Sequence, residues 1–347
     1  MFELLEELVS RPSPGTMEDP VQERVLAHFK RLCDRTETDL LGDVVGVLNE
    51  KAETRLLLVA HVDEIGLMIS RIEEKGFLRV RALGGCRPDA MVGQRVAVHT
   101  ARGAVPGVVG RTIGPAPKTE IKTEDLWLDI GTLSRKDAEK LVCVGDPVTP
   151  SCTLERLHGD RVTGRGLDDR AGVAVLLAAL RLVRADRRKP KVAVYALSSV
   201  QEEGGRFRGA LTRAFDIDPH ASIVVDVADS QDYPGRTGQF RIGDGPLISK
   251  SLTVNRKVNN LLVKSARAKK IPYTFTAEPQ ATGTDGDVIA SSRGGTAVGV
   301  VSIPTRYIHS PSEVLSLKDL ELTARLIAEF VLRLPSKPDF RPLNPTT

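Results

Sequence analysis

The chain has 347 residues, and its 49 basic and 45 acidic side chains give a formal net charge of +4. Hydrophobic residues make up 41% and charged residues 27%, a balance that excludes collagen, coiled coils and wholesale disorder. The small net charge and the 4% aromatic content argue against nucleic acid as a partner.

The length predicts two domains, or one large domain with an insertion. The four cysteines form no C-x-x-C pair, which indicates free thiols in a reduced compartment. The stretch MFELLEELVS is acidic where a secretory signal needs positive charge, and the longest apolar run, 171–180, is too short to span a bilayer. We therefore expect a cytoplasmic protein with no membrane partner.

Two parts of the chain have the mixed pattern of an α/β domain. Apolar residues at helical spacing predict helices, and continuous apolar runs predict strands that are buried on both faces. In chain order the predictions are helices at 2–9 and 20–33, a strand at 55–60, a helix at 170–184, strands at 192–197 and 223–227, a helix at 257–270, a strand at 295–303 and a helix at 317–334.

The segment between these parts has a different pattern. From 66 to 148, short runs of Val, Ile and Leu alternate with Gly, Pro and charged turns, and only 134–141 has a helical pattern. Such spacing is typical of an all-β module, here a small barrel. The sequence thus predicts a discontinuous α/β domain, 1–65 and 159–347, with a mixed sheet between helices, and an inserted β domain at 66–158.

Five polar clusters follow apolar strand-like runs or Gly-rich turns, where open α/β sheets place their ligand crevice. These clusters are His61 with Asp63, Asp168 with Asp169, Glu202 with Glu203, Asp226, and His309. Each also has an ordinary structural explanation: a hydrogen-bonded histidine, acidic helix caps, or a solvated turn. Asp285, in the string TGTDG, is expected to be a plain turn residue rather than part of the pocket.

Together the clusters have the composition of a metal centre. Two histidines and several carboxylates without cysteine suit zinc, cobalt or manganese in a catalytic site. Five ligands exceed what one catalytic ion needs, but they suit two ions about 3.5–4 Å apart that share a carboxylate. One further carboxylate remains available as a general base.

Six strings resemble one family. VAHVDEIGLM, GRGLDDRAG, VQEEGG, VVDV, TGTDG and IPTRYIHSPSEV are similar to the tetrahedral (TET) aminopeptidases, also called the glutamyl or deblocking aminopeptidase family. The resemblance extends from about residue 4 to about residue 334. It implies cleavage of peptides with a free N-terminus by a metal-activated water.

The resemblance also implies a role for each residue of the site. His61, Asp168 and Asp226 would hold one ion, and Asp168, Glu203 and His309 the other, with Asp168 bridging. Glu202 would be the general base, and Asp63 would orient His61.

Beyond the site, the resemblance implies an assembly. The inserted module would be a PDZ-like dimerisation domain, and the dimers would form a hollow tetrahedral dodecamer. The chain departs from the family pattern in three places: GGRFRGA after Glu203 is one residue longer, Ala228 replaces a usual Thr, and GTDGDV replaces GTDAGA. Substrate preference is therefore not carried over.

Three other interpretations remain open from the residues alone. The motif order also permits a dinuclear carboxypeptidase or deacylase. A glycoside hydrolase would use paired carboxylates, but it leaves both histidines and Asp226 unexplained. A non-enzymatic scaffold would use the β module and would have no need of the ligand set.

Overall fold

The computed structural model describes residues 1–112, 120–238 and 240–343. Its helices, in chain order, are α1 Phe2–Val9, α2 Asp19–Leu32, α3 Pro88–Met91, α4 Arg135–Ala138, α5 Leu167–Ala185, α6 Arg208–Ile217, α7 Arg256–Ala268, α8 Gly286–Ile289 and α9 Leu317–Arg333. Among the residues described, no helix is both long and apolar enough to cross a membrane.

The strands form one large sheet and one barrel. Those of the large sheet are β1 Arg35–Thr38, β2 Val44–Leu48, β3 Arg55–His61, β10 Glu155–Arg156, β11 Arg161–Gly164, β12 Ala193–Ser199, β13 Ala221–Asp229, β14 Leu247–Ser251, β15 Thr274–Glu278, β16 Ala297–Arg306 and β17 Glu313–Ser316. Those of the barrel are β4 Gly66–Ile72, β5 Leu78–Leu83, β6 Arg95–Thr100, β7 Gly103–Arg111, β8 Leu126–Asp129 and β9 Pro147–Pro150.

The centre of the large sheet is parallel. The order is β1-β2-β12-β3-β13-β16-β17-β11-β10, and β14 joins β16 with β15 beside it. Strands β12, β3, β13 and β16 run in the same direction, with His61 opposite Ser199 and Asp226 opposite Ser302. The carboxyl ends of these strands therefore meet at one edge of the sheet.

Helices cover both faces of this sheet, which explains the uninterrupted apolar runs of its central strands. On one face, α1, α2, α5 and α9 pack in the main core, which includes Leu56 and Leu58. On the other face, α6 and α8 pack over Leu57 and Val59. Each fully buried leucine of this kind contributes roughly 1.5–3 kcal/mol of transfer free energy.

The barrel is closed, in the order β4-β5-β8-β7-β6-β9. Its interior is a separate core, and β6 supplies Val96 and Val98 because alternate residues of a strand face the same side. The next strand, β10, pairs with β11 in the large sheet. The predicted fold class, an α/β sheet with a small all-β barrel, is confirmed. The domain limits at 65/66 and 158/159 stay a prediction.

Candidate metal centre

The carboxyl edge of the parallel strands brings together the five residues predicted as metal ligands. His61 ends β3, Asp226 lies near the end of β13, Asp168 opens α5, Glu203 follows β12 and His309 follows β16. All five line one cavity of about 360 Å³. The predicted cluster thus exists in the fold, although its side chains come from five separate elements.

Asp168 is at the middle of the cluster. Its Oδ1 lies 3.1 Å from Nε2 of His61, and its Oδ2 lies 3.4 Å from Nε2 of His309. On the outer sides, Glu203 Oε2 lies 3.3 Å from Nε2 of His309, and Asp226 Oδ1 lies 4.0 Å from Nε2 of His61. One carboxylate therefore lies between two imidazoles, as a shared ligand of two ions must.

Two overlapping groups of side chains could hold a cation. In each, one donor atom per residue lies within 4.8 Å of the others: His61, Glu202 and Asp226 form one group, and His61, Asp168 and Glu203 the other. Imidazole and carboxylate donors without thiolate fit zinc, cobalt or manganese. The residues present therefore fit a divalent metal centre.

The electrostatics of the cluster also fit a bound cation. Burial, together with the nearby Asp226, raises the pKa of Glu202 to about 10, and burial with Asp168 raises that of Asp226. Although burial lowers it, hydrogen bonds to Asp168 and Glu203 raise the pKa of His309 to about 11. Crowded carboxylates of this kind favour neutralisation by protons or by a metal ion.

Asp63 makes more contacts than the sequence predicted. Its carboxylate accepts hydrogen bonds from the backbone N–H groups of Glu202 (3.0 Å) and Glu203 (3.1 Å). Nδ1 of His61 lies 3.1 Å from the backbone oxygen of Asp63 and 3.4 Å from its carboxylate. Asp63 thus lies beside His61 and also anchors the turn that carries both glutamates.

Glu313 is a buried residue of the site that the sequence analysis did not single out. Its carboxylate accepts from the backbone N–H groups of Asp168 (3.1 Å) and His309 (3.0 Å). It therefore fixes two of the segments that carry predicted ligands. The available signal was an acidic residue that opens the apolar strand β17 within the quoted string IPTRYIHSPSEV.

Asp285 is not among the residues that line the cavity, as expected, but it is not a solvated turn residue. Its side chain is only 2% exposed and accepts a hydrogen bond of 2.6 Å from the hydroxyl of Ser199, at the end of β12. Burial raises the pKa of Asp285 to about 6. A turn aspartate would be solvated, whereas this one lies beneath the site, because α8 packs against the sheet.

A buried ionic cluster ties the site to the core. Glu64 accepts hydrogen bonds from Arg165 and Arg170, and Arg170 also donates to the hydroxyl of Ser13 at 2.6 Å. Although burial raises it, the two arginines lower the pKa of Glu64 to about 2. Glu64 follows Asp63 and Arg170 follows Asp169, so this cluster links two of the loops that carry site residues.

The barrel supplies one wall of the site. A Cβ placed on Gly85, in the loop after β5, would lie 2.6 Å from Nδ1 of His309, and one on Gly84 would lie 3.1 Å from Cβ of Glu203. The loop therefore packs directly against two of the predicted ligands. Only glycine at position 85 leaves the His309 ring where it is.

Comparison with known proteins supports the same picture. A sequence model of the M42 glutamyl aminopeptidase family matches residues 42–326. A lysyl aminopeptidase of Pyrococcus furiosus is 30% identical, over 98% of this chain and 99% of its own length.

Solved structures extend the similarity to the fold. An aminopeptidase of the archaeon Desulfurococcus kamchatkensis, APDkam598, has a TM-score of 0.91 and 35% identity, covering 96% of this chain and 95% of its own. The TET1 peptidase of Pyrococcus horikoshii, described as assembling into a tetrahedron or a large octahedral shell, has a TM-score of 0.84 and 30% identity, covering 96% and 99%. The similarity therefore includes the barrel as well as the sheet.

Proposed function

The chain belongs to the M42 glutamyl aminopeptidase family, and from this premise we propose that it is a dinuclear metalloaminopeptidase that removes N-terminal residues from peptides. The observation that carries the proposal is the position of Asp168, whose two carboxylate oxygens face the imidazoles of His61 and His309 at 3.1 and 3.4 Å. Neither a cap nor a simple salt bridge requires this arrangement.

We assign the ligands in two sets that share one carboxylate. His61, Asp168 and Asp226 would hold one ion, and Asp168, Glu203 and His309 the other. Zinc is the first choice, with cobalt and manganese as alternatives, because nitrogen and oxygen donors accept all three. When bound, the two cations supply Lewis-acid polarisation of the scissile carbonyl and lower the pKa of a water molecule.

Glu202 is assigned as the general base. Its carboxylate lines the cavity and lies 3.9 Å from Nε2 of His61, and Asp63 holds its backbone in place. Burial and neighbouring carboxylates raise the pKa of Glu202, and cations held by the neighbouring ligands would lower it again. The carboxylate would then be ionised and able to take a proton from water. The same group then delivers the proton to the leaving amine.

Asp63 is assigned as a positioning residue. It lies 3.4 Å from Nδ1 of His61 through its carboxylate, which suits a group that fixes the tautomer of a ligating histidine. Through its hydrogen bonds to the Glu202 and Glu203 backbone, the same carboxylate sets the base relative to the ligands.

For the assembly, we propose that the barrel is a PDZ-like dimerisation domain and that the dimers form a tetrahedral dodecamer. Large apolar side chains are exposed on the barrel segment, among them Leu133 (90%) and Val144 (61%). A dimer interface on this segment would bury such exposed apolar side chains. Native mass spectrometry would show twelve copies, and a monomer at micromolar concentration would contradict the proposal. A cytoplasmic location stays a prediction from the sequence.

The decisive experiment measures hydrolysis of aminoacyl-p-nitroanilides covering Leu, Glu, Asp, Lys, Gly and Ala. The protein is treated with chelator and then reloaded with zinc, cobalt or manganese. We expect release that is lost on chelation, restored by metal, and absent from N-acetylated controls. Release only from N-blocked or C-terminal substrates would favour a deacylase or a carboxypeptidase. Glycoside hydrolysis that resists chelation would refute the metal mechanism.

A further inference from the structure

The family name does not settle which N-terminal residue this chain prefers. The matching family is described as glutamyl, whereas the Pyrococcus furiosus relative is named a lysyl aminopeptidase. The side chains on the cavity wall that do not belong to the ligand set must therefore decide. They include the apolar Val227 and Ile308 and the acidic Asp229.

Apart from its two histidines, the ionisable side chains that line the cavity are all acidic. No lysine or arginine is among its lining residues, whereas Asp229 adds a carboxylate to those of Asp168, Glu202, Glu203 and Asp226. Two divalent cations would balance the four negative charges of the ligand and base carboxylates. The negative charge of Asp229 would remain uncompensated. A pocket for an acidic side chain needs a cation, and the described wall provides none.

Asp229 has no ion-pair partner among the residues that the structure describes. Its Oδ2 accepts from the hydroxyl of Tyr233 at 3.2 Å, and its Oδ1 accepts weakly from the backbone of Gln231 at 3.4 Å. The neighbouring Asp232 differs, since Arg306 donates to both of its oxygens, at 2.6 and 2.7 Å. The charge of Asp232 is thus compensated within the fold, and that of Asp229 is available to a ligand.

We propose that Asp229 selects peptides with a basic N-terminal residue, lysine or arginine. The inference rests on the proposed function and names its substrate class. Asp229 ends β13, three residues after Asp226, and lines the same cavity without belonging to the ligand set. The methylene groups of the substrate side chain would pass Val227 and Ile308, and its cationic end would reach Asp229.

The test compares lysyl-, arginyl-, norleucyl- and glutamyl-p-nitroanilide with the metal-loaded wild-type protein. Norleucine matches the lysine stem without its charge, so the lysine-to-norleucine ratio of kcat/KM isolates the charge. We expect a ratio of about tenfold or more, with glutamyl the poorest substrate. A wild type that prefers the glutamyl substrate, or treats lysine and norleucine alike, would overturn the proposal.

The variant Asp229→Asn keeps an oxygen that can accept from Tyr233 but removes the charge. We expect its lysine-to-norleucine ratio to fall to about one while norleucine turnover changes little. The control is Asp216→Asn, because Asp216 is exposed near the end of α6, at the opposite edge of the sheet, and its loss changes the net charge equally. An unchanged ratio in Asp229→Asn would refute the assignment.

A second measurement does not depend on turnover. Calorimetric titration with lysinol and norleucinol, which have no scissile bond, measures binding directly, and we expect lysinol to bind about tenfold more tightly to the wild type only. Equal binding of the two amino alcohols would refute the role of Asp229. Failure of the proposed function is distinguishable, since it would abolish release from every substrate, including norleucyl.

Discussion

Gly85→Ala tests whether the barrel loop positions a ligand. The new Cβ would lie 2.6 Å from Nδ1 and 2.8 Å from Cε1 of His309, whereas ordinary contact begins at 3.4 Å. The imidazole must therefore move by about 0.8 Å. The Gly85 backbone is not in the left-handed region, so alanine adds no conformational strain of its own.

Displacement of the His309 ring should reduce activity and metal affinity more than thermal stability. Nε2 of His309 now lies 3.4 Å from Asp168 and 3.3 Å from Glu203, and a shift of this size disrupts both distances. A misplacement near 1 Å costs on the order of 100-fold in rate, and a disturbed ligand about 10–100-fold in metal affinity. Because Gly85 lies in an exposed loop, the thermal midpoint should change little.

The assay measures kcat/KM on a p-nitroanilide substrate, zinc affinity by calorimetry, and the melting temperature. Gly204→Ala is the matched control, since a Cβ there meets no atom within 4 Å although Gly204 directly follows Glu203. We expect Gly85→Ala to lose activity and affinity while Gly204→Ala keeps both. If Gly85→Ala stays within about threefold of wild type in both measurements, the loop does not fix His309.

Four further predictions follow from the same geometry. Glu202→Gln should lower kcat by about 10²–10⁴ with zinc still bound, and unchanged turnover would exclude Glu202 as the base. Glu313→Gln should lower zinc affinity about 10–100-fold, because an amide cannot accept from both Asp168 and His309 as the carboxylate does; unaltered titrations would contradict this. Because the pKa of His309 is raised to about 11, metal binding at pH 7 should release a proton, and metal affinity should increase as pH rises. Calorimetry in two buffers of different ionisation enthalpy measures this proton release, and equal binding heats in the two buffers would refute it. Arg170→Met should lower the free energy of unfolding by about 3–5 kcal/mol, measured by urea denaturation, with exposed Arg184→Met as a control that changes it by less than about 1 kcal/mol.

The long elements of the fold were predictable from the sequence because their pattern is local. The apolar runs of β3, β12 and β13 and the helical spacing of α5 and α9 give these elements to within a few residues. The predicted helix at 134–141 is a single turn, Arg135–Ala138. Sequence alone also indicated that the residues proposed as ligands would lie together, since carboxyl ends of parallel strands share one edge.

Short elements were missed because their stability comes from partners remote in sequence. Strand β2 is fully buried between β1 and β12, but its apolar run VVGVL has only five residues and includes Gly46, too little to predict a strand by itself. Strands β14, β15 and β17 and the helix α6 were also not predicted, for the same reason. Their positions depend on the completed sheet.

The sequence by itself determined the chemical composition of the site: two histidines and several carboxylates at strand ends, with an inserted β module. Only the tertiary structure decided how these groups are held. Glu313 is 145 residues from Asp168 in the chain and contacts its backbone, and Gly85 reaches His309 from the other domain. Residue type and periodicity are local properties, whereas such contacts arise when the folded sheet and barrel bring distant segments together.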